Sequence, residues 1–341
     1  MLSLQQKANP FRRNHLIRDA IGQALHDAMG QDERIHLFGE GCEVKVHYDH
    51  PDIERDFFDR CHTMPIAEDG IVNFAVGAAL NGYIPVVDII SSDFLYRAMD
   101  SICNTAAKVN FSCPDRPITM VIRAEFLTGG PTTGQRNEAL FTHIPGLNVV
   151  IPSTPRDAYG LMRAALNTQG VTLFFEDRDI QDDGFFLKED RVYPNEQYHV
   201  GFGEALWRNM GPRGGVTVVT YGVMRQRVEA ILRGTSPLRW DCYNEESLDC
   251  GLIDLRSIYP IDWELLRRAI DRTGNLLIVE PDVAYGGVGA EIAAWAAECH
   301  PGVRIRRLGD WRTITPACAR LRDTWPTEQE IVDAIRSLRN A

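Results

Sequence analysis

Two acidic residues stand side by side at the start of a helical pattern. Glu68 and Asp69 belong to the run PIAEDG, residues 65–70, which precedes the small-residue helical segment VNFAVGAALNG and the apolar run IPVVDII. Carboxylates in the first turn of a helix are favoured by the helix dipole, so these acids need no catalytic role. A carboxylate is also a group that can take part in acid–base catalysis. The residues alone leave both interpretations open.

Motifs of several other enzyme classes are absent from the sequence. It has no G-x-S-x-G, no G-x-x-x-x-G-K-[ST] and no H-E-x-x-H, which disfavours hydrolase, NTPase and zincin functions. The run GGVGAE, residues 286–291, has Glu291 where a dinucleotide fingerprint has its third glycine, so it predicts close strand-to-helix packing instead. The eight cysteines are scattered without C-x-x-C or zinc-type spacing, and we predict reduced thiols and no metal site.

Short apolar runs alternate with helical patterns in the first half of the chain. A helix is predicted from Leu16 to Met29, because apolar residues recur there at helical spacing. The apolar runs that follow have little polar alternation, as strands buried on both faces do. They are IHLF, IPVVDII, ITMVIRAE, LNVVIP and VTLFFED, separated by helical patterns that include one from Phe94 to about Val109. This alternation predicts an α/β fold with a doubly wound parallel sheet.

The same alternation restarts in the second half of the chain. The apolar runs VTVVTYG, LIDLRSI, NLLIVEP and VRIRRLG alternate with helical patterns and predict a second, smaller α/β domain. Between the halves, acids, glycine, proline and aromatic residues are mixed without periodicity, as in a connection between domains. The predicted division is a first domain of residues 1–185, a linker of residues 186–214 and a second domain of residues 215–341. A polar loop is predicted over residues 235–251.

Charge and composition narrow the possible partners. The 341 residues carry a formal net charge of −11, with 44% hydrophobic and 24% charged residues, as in ordinary globular proteins. A negative surface field repels nucleic acid and anionic lipid, so neither is a predicted partner. The amino terminus lacks the apolar region of a signal peptide, and no apolar run approaches the roughly 18 residues of a membrane span. We therefore predict a cytoplasmic protein.

Five segments together resemble one known family. Those segments are PIAEDG, AVGAALNGYIPVVDI, DFLYRAMDSICNTAAK, HIPGLNVVIPSTPRDAYGLM and GGVGAEIAAWAAE. Over nearly the whole chain, their order and spacing resemble the β subunit of the thiamine-diphosphate-dependent first component of pyruvate and branched-chain 2-oxo-acid dehydrogenases. That family belongs to the transketolase superfamily. The resemblance implies a pyrimidine-binding domain with a doubly wound parallel sheet, followed by a smaller transketolase C-terminal-type α/β domain.

The resemblance assigns roles to the residues that the family motifs match. Glu68 takes the place of the glutamate that hydrogen-bonds a ring nitrogen of the cofactor's aminopyrimidine, which implies a catalytic role. By the same matching, Ile66 and Ile90 line the pyrimidine pocket and Phe94 lies against the aminopyrimidine face, although all three also suit core packing. Glu40, in FGEGCEV, matches an acidic family position near the active site, although an acid at the end of a strand needs no function.

Part of the cofactor site of this superfamily is missing from the sequence. The superfamily holds the cofactor's diphosphate through Mg²⁺ with a G-D-G motif that ends further on in N-N. The only Gly-Asp pair here, Gly309 and Asp310, continues into WRT. The resemblance therefore implies that a separate α-type chain holds the diphosphate and Mg²⁺ of thiamine diphosphate, in an assembly of two α and two β chains.

One loop departs from the family pattern. Family members carry a histidine ten residues before the histidine of the H-x-P-G motif, where it serves the substrate and acyl transfer to lipoyl; counting back from His143 gives Thr133. No imidazole is then available there for proton transfer. We therefore predict that Thr133 and Gln135 belong to an altered substrate loop. In the segment GEGCEVKVHYDHP, His47 and His50 are either solvated loop residues or replacements for the lost imidazole.

The predicted function keeps several alternatives open. The main prediction is the β subunit of a heteromeric enzyme that decarboxylates a 2-oxo acid and passes the acyl or aldehyde unit onward. The acceptor is either a lipoyl acyltransferase, as in the dehydrogenases, or an aldehyde or sugar, as in a transketolase-like carboligase. The missing histidine favours the carboligase. A catalytically silent structural partner is a further alternative, against which Glu68 and Phe94 argue.

Overall fold

The strands of the protein form two sheets, each of them mostly parallel. The computed structural model describes residues 16–40, 51–127, 132–178, 180, 188–191, 195, 197–209, 215–234, 248–314 and 324–340. The strands are β1 (Ile35–Gly39), β2 (Cys61–Thr63), β3 (Ile84–Ile89), β4 (Thr119–Phe126), β5 (Leu147–Val150), β6 (Gly170–Asp177), β7 (Leu206–Asn209), β8 (Val216–Thr220), β9 (Cys250–Asp254), β10 (Ser257–Tyr259), β11 (Asn275–Val283) and β12 (Arg304–Asp310). The α-helices are α1 (Leu16–Gln31), α2 (Pro51–Phe57), α3 (Glu68–Leu80), α4 (Val109–Ser112), α5 (Glu138–Thr142), α6 (Pro155–Asn167), α7 (Gly222–Leu232), α8 (Trp263–Thr273), α9 (Val288–Cys299) and α10 (Glu328–Asn340).

The first sheet has seven strands in the order β10, β5, β6, β4, β3, β1, β2. All neighbours are parallel except β10, which runs antiparallel to β5. β3 is buried along its whole length, and β4 and β6 are buried beyond their first residues. Strands that are covered on both faces have no solvent side, which explains why their sequences are nearly continuous apolar runs.

Helices cover both faces of the first sheet. On one face α3 packs through Ile71, Val72 and Ala75, and on the other face α1 packs together with α6. The start of α6 is fixed by a cap, because Thr154 Oγ1 accepts a hydrogen bond from the Asp157 amide at 3.0 Å. The predicted α/β class, with a doubly wound and mostly parallel sheet, is confirmed.

The second sheet is smaller and has five strands in the order β12, β11, β8, β9, β7. Its neighbours are parallel except β7, which is antiparallel to β9. Helices α7 and α10 cover one face, whereas α8 and α9 contribute apolar side chains to the same core as α3. The two sheets therefore share a continuous apolar core. None of the helices in the described ranges is long and apolar enough to cross a membrane.

Two elements differ in kind from the sequence prediction. The predicted helix from Phe94 to about Val109 is a 3-10 helix over Ser92–Ala98, followed by a π-helical turn over Ser101–Thr105, and α4 begins only at Val109. The predicted strand LIDLRSI is split into β9 and β10, because Arg256 has a φ of 59°. This turn carries the chain from the second sheet back to the edge of the first.

The predicted domain boundaries stay a prediction. β7 lies inside the predicted linker of residues 186–214, yet it pairs with β9 in the second sheet. β10 lies in the predicted second domain and pairs with β5 in the first sheet. Of the polar loop predicted over residues 235–251, residues 235–247 lie outside the described residues.

Candidate functional site

The candidate site lies at the edge of the first sheet where its parallel strands end. Glu40 directly follows β1, and Glu68 follows β2 after a short connection. Ile90 directly follows β3, Phe94 lies in the 3-10 helix after it, and the predicted substrate loop follows β4. Because β1, β2, β3 and β4 are parallel neighbours, their carboxyl ends meet at one edge. Open parallel sheets commonly bind ligands there.

Glu68 is the first residue of α3, and its side chain is buried. Ala67, the residue before the helix, makes no side-chain hydrogen bond that caps it. Glu68 is therefore the first polar side chain at the start of α3. One cation reaches it, since Arg97 Nε lies 3.4 Å from Glu68 Oε2. The Arg97 side chain is 75% exposed, so this ion pair forms at the surface of a buried carboxylate. The Glu68 carboxylate therefore lies just below the protein surface, at the edge of the first sheet.

A second carboxylate, that of Glu40, faces the same region. Glu40 is partly buried, and burial together with the negative charge of Glu68 raises the pKa of its carboxyl above the ordinary value. The charge of Glu40 also acts on Asp88, a buried residue of β3. Burial raises the pKa of Asp88 to about 6, although the nearby Arg123 opposes the rise. Acidic groups thus extend from Glu68 inward along the strand ends.

Apolar side chains lie beside the Glu68 carboxylate. Ile66, two residues before it, is 81% exposed, which is unusual for an isoleucine. Ile90 is partly buried, and Phe94 packs its partly buried ring against the core beside α3. Arg97 lies one helical turn after Phe94 and contacts Glu68. The structure therefore places Ile66, Glu68 and Phe94 at one edge of the first sheet.

The predicted substrate loop is held against the 3-10 helix that carries Phe94. The Gly134 amide donates a hydrogen bond to Asp93 Oδ2 at 3.0 Å, and the Gln135 amide lies near the same carboxylate. Thr133 and Gln135 are partly buried. The loop therefore reaches the edge that carries Glu40 and Glu68. His47 and His50 lie outside the described residues.

Beyond the loop, Arg136 is anchored in the interior. Its guanidinium pairs with Glu138 at 2.8 Å and with Asp177 at the end of β6, and it lies 3.6 Å over the Phe126 ring. Burial raises the pKa of Glu138 to about 7, against the attraction of Arg136. This buried cluster fixes the start of α5 and the end of the loop.

Several of these residues were missed from the sequence. Asp93 and Arg97 both lie in the segment DFLYRAMD, which was interpreted only through Phe94. The position of Arg97 could have been inferred, because Arg97 is three residues after Phe94 and residues three apart lie on one face of a helical turn. No local clue pointed to Asp93, since its partners Gly134 and Gln135 are about forty residues away.

The arrangement suits the aminopyrimidine end of thiamine diphosphate. A planar heteroaromatic ring needs apolar walls and a polar group at its edge, and the residues around Glu68 supply both. In the described ranges, no three His, Cys, Asp or Glu side chains form a metal-binding group. The residues fit the pyrimidine half of the cofactor, and their individual roles stay predictions.

Comparisons with known proteins match both halves of the chain. Residues 15–181 match the family described as "Transketolase, pyrimidine binding domain" and residues 207–331 match "Transketolase, C-terminal domain". The chain is 32% identical to the "2-oxoisovalerate dehydrogenase subunit beta 2, mitochondrial" of Arabidopsis thaliana, over 100% of this chain and 93% of that protein. It is also 32% identical to a "Pyruvate dehydrogenase E1 component subunit beta" of Staphylococcus epidermidis, over 93% of this chain and 96% of that protein.

The fold is also similar to that of a solved structure. The chain superposes on a "Split gene transketolase, inactive beta4 tetramer" with a TM-score of 0.75, covering 95% of this chain and 98% of the other. The sequence identity of the two chains is 21%, so this likeness shows the fold alone.

Proposed function

Because the chain belongs to the family of β subunits of pyruvate and branched-chain 2-oxo-acid dehydrogenases, we propose that it forms one half of a heteromeric, thiamine-diphosphate-dependent enzyme. In this proposal the enzyme decarboxylates a 2-oxo acid and transfers the resulting acyl or aldehyde unit. The observation that carries the proposal is the buried Glu68 carboxylate at the start of α3, at the same edge of the sheet as Ile66, Ile90 and Phe94.

The proposed role of Glu68 is to share a proton with a ring nitrogen of the aminopyrimidine. When bound, the cofactor supplies a thiazolium carbon whose acidity depends on that pyrimidine ring. A carboxylate suits the task, because it accepts and returns a proton at hydrogen-bonding distance. In the same proposal Phe94 stacks on the ring, and Ile66 and Ile90 exclude water from it.

The proposed role of Glu40 is to bind the cofactor beside Glu68. Burial and the charge of Glu68 raise its pKa, so Glu40 keeps its proton to a higher pH than an exposed glutamate does. Burial raises the pKa of Asp88, and the charge of Glu40 adds to the rise.

A partner chain completes the proposed site. The sequence contains no G-D-G motif leading to N-N, so we assign the diphosphate and Mg²⁺ mainly to an α-type chain. The proposed assembly contains two chains of each type. A lipoyl acyltransferase is a further partner if the acceptor is lipoyl. We also propose a cytoplasmic location, which cell fractionation checks.

The acceptor of the transferred unit is the point on which two enzyme functions differ. Thr133 has no group that transfers protons near neutral pH, which favours an aldehyde or sugar acceptor over lipoyl. The remaining alternative is a catalytically inactive structural partner. Turnover by the complex excludes this alternative, and absence of turnover favours it.

The test is to co-purify the chain with its α-type partner, then measure cofactor binding by calorimetry and turnover with a panel of 2-oxo acids. We expect Glu68→Gln to lower turnover by about a hundredfold to ten-thousandfold, as loss of an acid–base group does. Asp69→Asn is the matched control, because Asp69 is exposed and adjacent. Near-normal turnover in Glu68→Gln, or no cofactor binding by the wild-type complex, contradicts the proposal.

A further inference from the structure

Asp93 joins the substrate loop to the 3-10 helix of Ser92–Ala98. Its carboxylate accepts a hydrogen bond from the Gly134 amide at 3.0 Å, and the Gln135 amide lies near the same carboxylate. The Ser91 hydroxyl donates to the same oxygen as Gly134, at 3.3 Å. The bond to Gly134 holds the loop backbone at this point, and bonds to a charged acceptor are stronger than neutral ones.

Other contacts fasten the loop to the same helical turn. The Asn137 side-chain amide donates to the Ser92 carbonyl oxygen at 2.8 Å and lies near the Tyr96 hydroxyl. Phe94 lies between Ser92 and Tyr96 in this turn. The loop and the predicted ring-stacking residue are therefore parts of one hydrogen-bonded unit.

The far end of the loop is held independently of Asp93. Arg136 is buried against Glu138 and Asp177, and the Ala139 amide in α5 lies near Asp282 in β11. Residues 136–139 therefore keep their place without Asp93. Gly134 has a φ of 102°, a conformation that other residues rarely adopt and that glycine adopts readily, which lets the loop turn there.

We propose that Asp93 is a positioning residue that sets Thr133 and Gln135 against Phe94 and Glu68, and so determines how the substrate is held. The inference rests on the proposed function, because the loop is taken to contact the substrate. Asp93 acts through the loop amides and is not itself assigned to the reaction. Its loss is expected to impair the use of the substrate and leave the binding of thiamine diphosphate unchanged.

The first test is hydrogen exchange of the full chain in complex with its α-type partner. In Asp93→Ala, the amides of Gly134 and Gln135 are expected to exchange about tenfold to hundredfold faster, as loss of a bond to a charged group implies. Residues 136–139 are expected to keep their protection. Asp93→Asn retains an acceptor oxygen and is expected to show a smaller increase. Asp115→Asn is the matched control, because Asp115 is exposed in the turn before β4, at the opposite edge of the sheet.

The second test separates positioning from a general loss of structure. In the same complex, Asp93→Ala is expected to lower kcat/KM for the 2-oxo acid by about tenfold to hundredfold, as misplaced catalytic groups do. The dissociation constant of thiamine diphosphate is expected to stay at its wild-type value. Unchanged protection of both amides overturns the inference, as does an unchanged kcat/KM or an equal weakening of cofactor binding. If the wild-type complex binds no cofactor, the proposed function fails, and hydrogen exchange alone still decides whether Asp93 holds the loop.

Discussion

The charge of the Glu68 carboxylate acts on the Glu40 carboxyl where β1 ends and α3 begins. Burial and the charge of Glu68 both raise the pKa of Glu40. We expect Glu68→Gln to lower the pKa of Glu40 only partway to its ordinary value, since burial remains. Carbon-13 NMR titration of the side-chain carboxyl measures this. Asp69→Asn, one residue away and exposed, is expected to leave the Glu40 pKa in place. No change in Glu68→Gln means that the two carboxylates are independent.

The strands that position this site are the part of the fold that the sequence predicts best. β3, β4 and β6 are buried on both faces, so hydrophobic burial imposes continuous apolar runs that are recognisable without a structure. Short elements carry no such pattern. β2 and β10 have three residues each, and pairing with a neighbouring strand determines them more than their own residues do.

Site residues next to a recognisable local pattern could be predicted from the sequence. Site residues that meet only after distant strands pair could not. Glu68 stands at a recognisable helix start, and Glu40 directly follows an apolar strand. Asp93 is different, because its loop partners are brought to it only when β3 and β4 pair. Arg136 and Asp177 meet for the same kind of reason, across β4 and β6. Tertiary hydrogen bonds of this kind leave no local pattern in the sequence.

The buried ion pair of Arg123 and Glu176 provides a test of stability behind the site. Both side chains are buried, and the guanidinium donates to the two carboxylate oxygens at 2.7 and 3.1 Å. Removing one partner leaves an uncompensated buried charge, so Glu176→Gln is expected to lower the free energy of unfolding by about 3 kcal/mol. Urea denaturation measures the change.

Two companion variants make this test specific. The double change Arg123→Met with Glu176→Leu is expected to cost less than Glu176→Gln alone, because neither member of the pair is left without its partner. Arg55→Gln removes an exposed ion pair with Asp56 and is expected to change the stability far less than Glu176→Gln. A Glu176→Gln protein as stable as the wild type contradicts the prediction.

The imidazoles of His36 and His62 form a hydrogen-bonded pair between β1 and the edge strand β2. His36 Nδ1 and His62 Nε2 are 2.9 Å apart, and the two rings are nearly coplanar, with an interplanar angle of 2°. Burial, His62 and Arg60 lower the pKa of His36, whereas its hydrogen bond to the Glu33 backbone opposes this. Tyr83 packs edge-on against the His36 ring. Such a pair needs at least one neutral imidazole to accept the hydrogen bond.

The pair predicts a loss of stability in acid. Since the folded pKa of His36 is below its unfolded value, the unfolded chain binds more protons, and stability falls as the pH drops below about 6.5. The stabilising contribution of neutral His36 is fully present above that pH. It is lost progressively as the pH falls from about 6.5 to the lower pKa that His36 has in the folded protein. We expect urea unfolding of His36→Gln to depend less on pH in this range than unfolding of the wild type. His143→Gln, at an exposed position, is the control and is expected to keep the wild-type pH dependence.

The choice of acceptor is testable at Thr133, which stands where the family carries a histidine and which the structure places in the loop held by Asp93. A threonine hydroxyl donates and accepts hydrogen bonds but does not transfer protons near neutral pH. Loss of such a group lowers a proton-transfer step by about a hundredfold to ten-thousandfold, so acylation of a lipoyl domain is expected to be slow. Decarboxylation, assigned to Glu68 and the cofactor, is expected to persist.

We therefore expect the complex with its α-type partner to turn over faster with an artificial electron acceptor, or in carboligation to an aldehyde, than with a lipoyl domain. Thr133→His is expected to raise lipoyl acylation and leave decarboxylation near its wild-type rate. Thr132→His is the matched control, because the exposed Thr132 offers an imidazole one residue away. Rapid acylation of a lipoyl domain by the wild type, with no gain in Thr133→His, means that another group supplies the proton. His47 and His50 are then the residues to substitute next, because the sequence places them in the segment that follows Glu40.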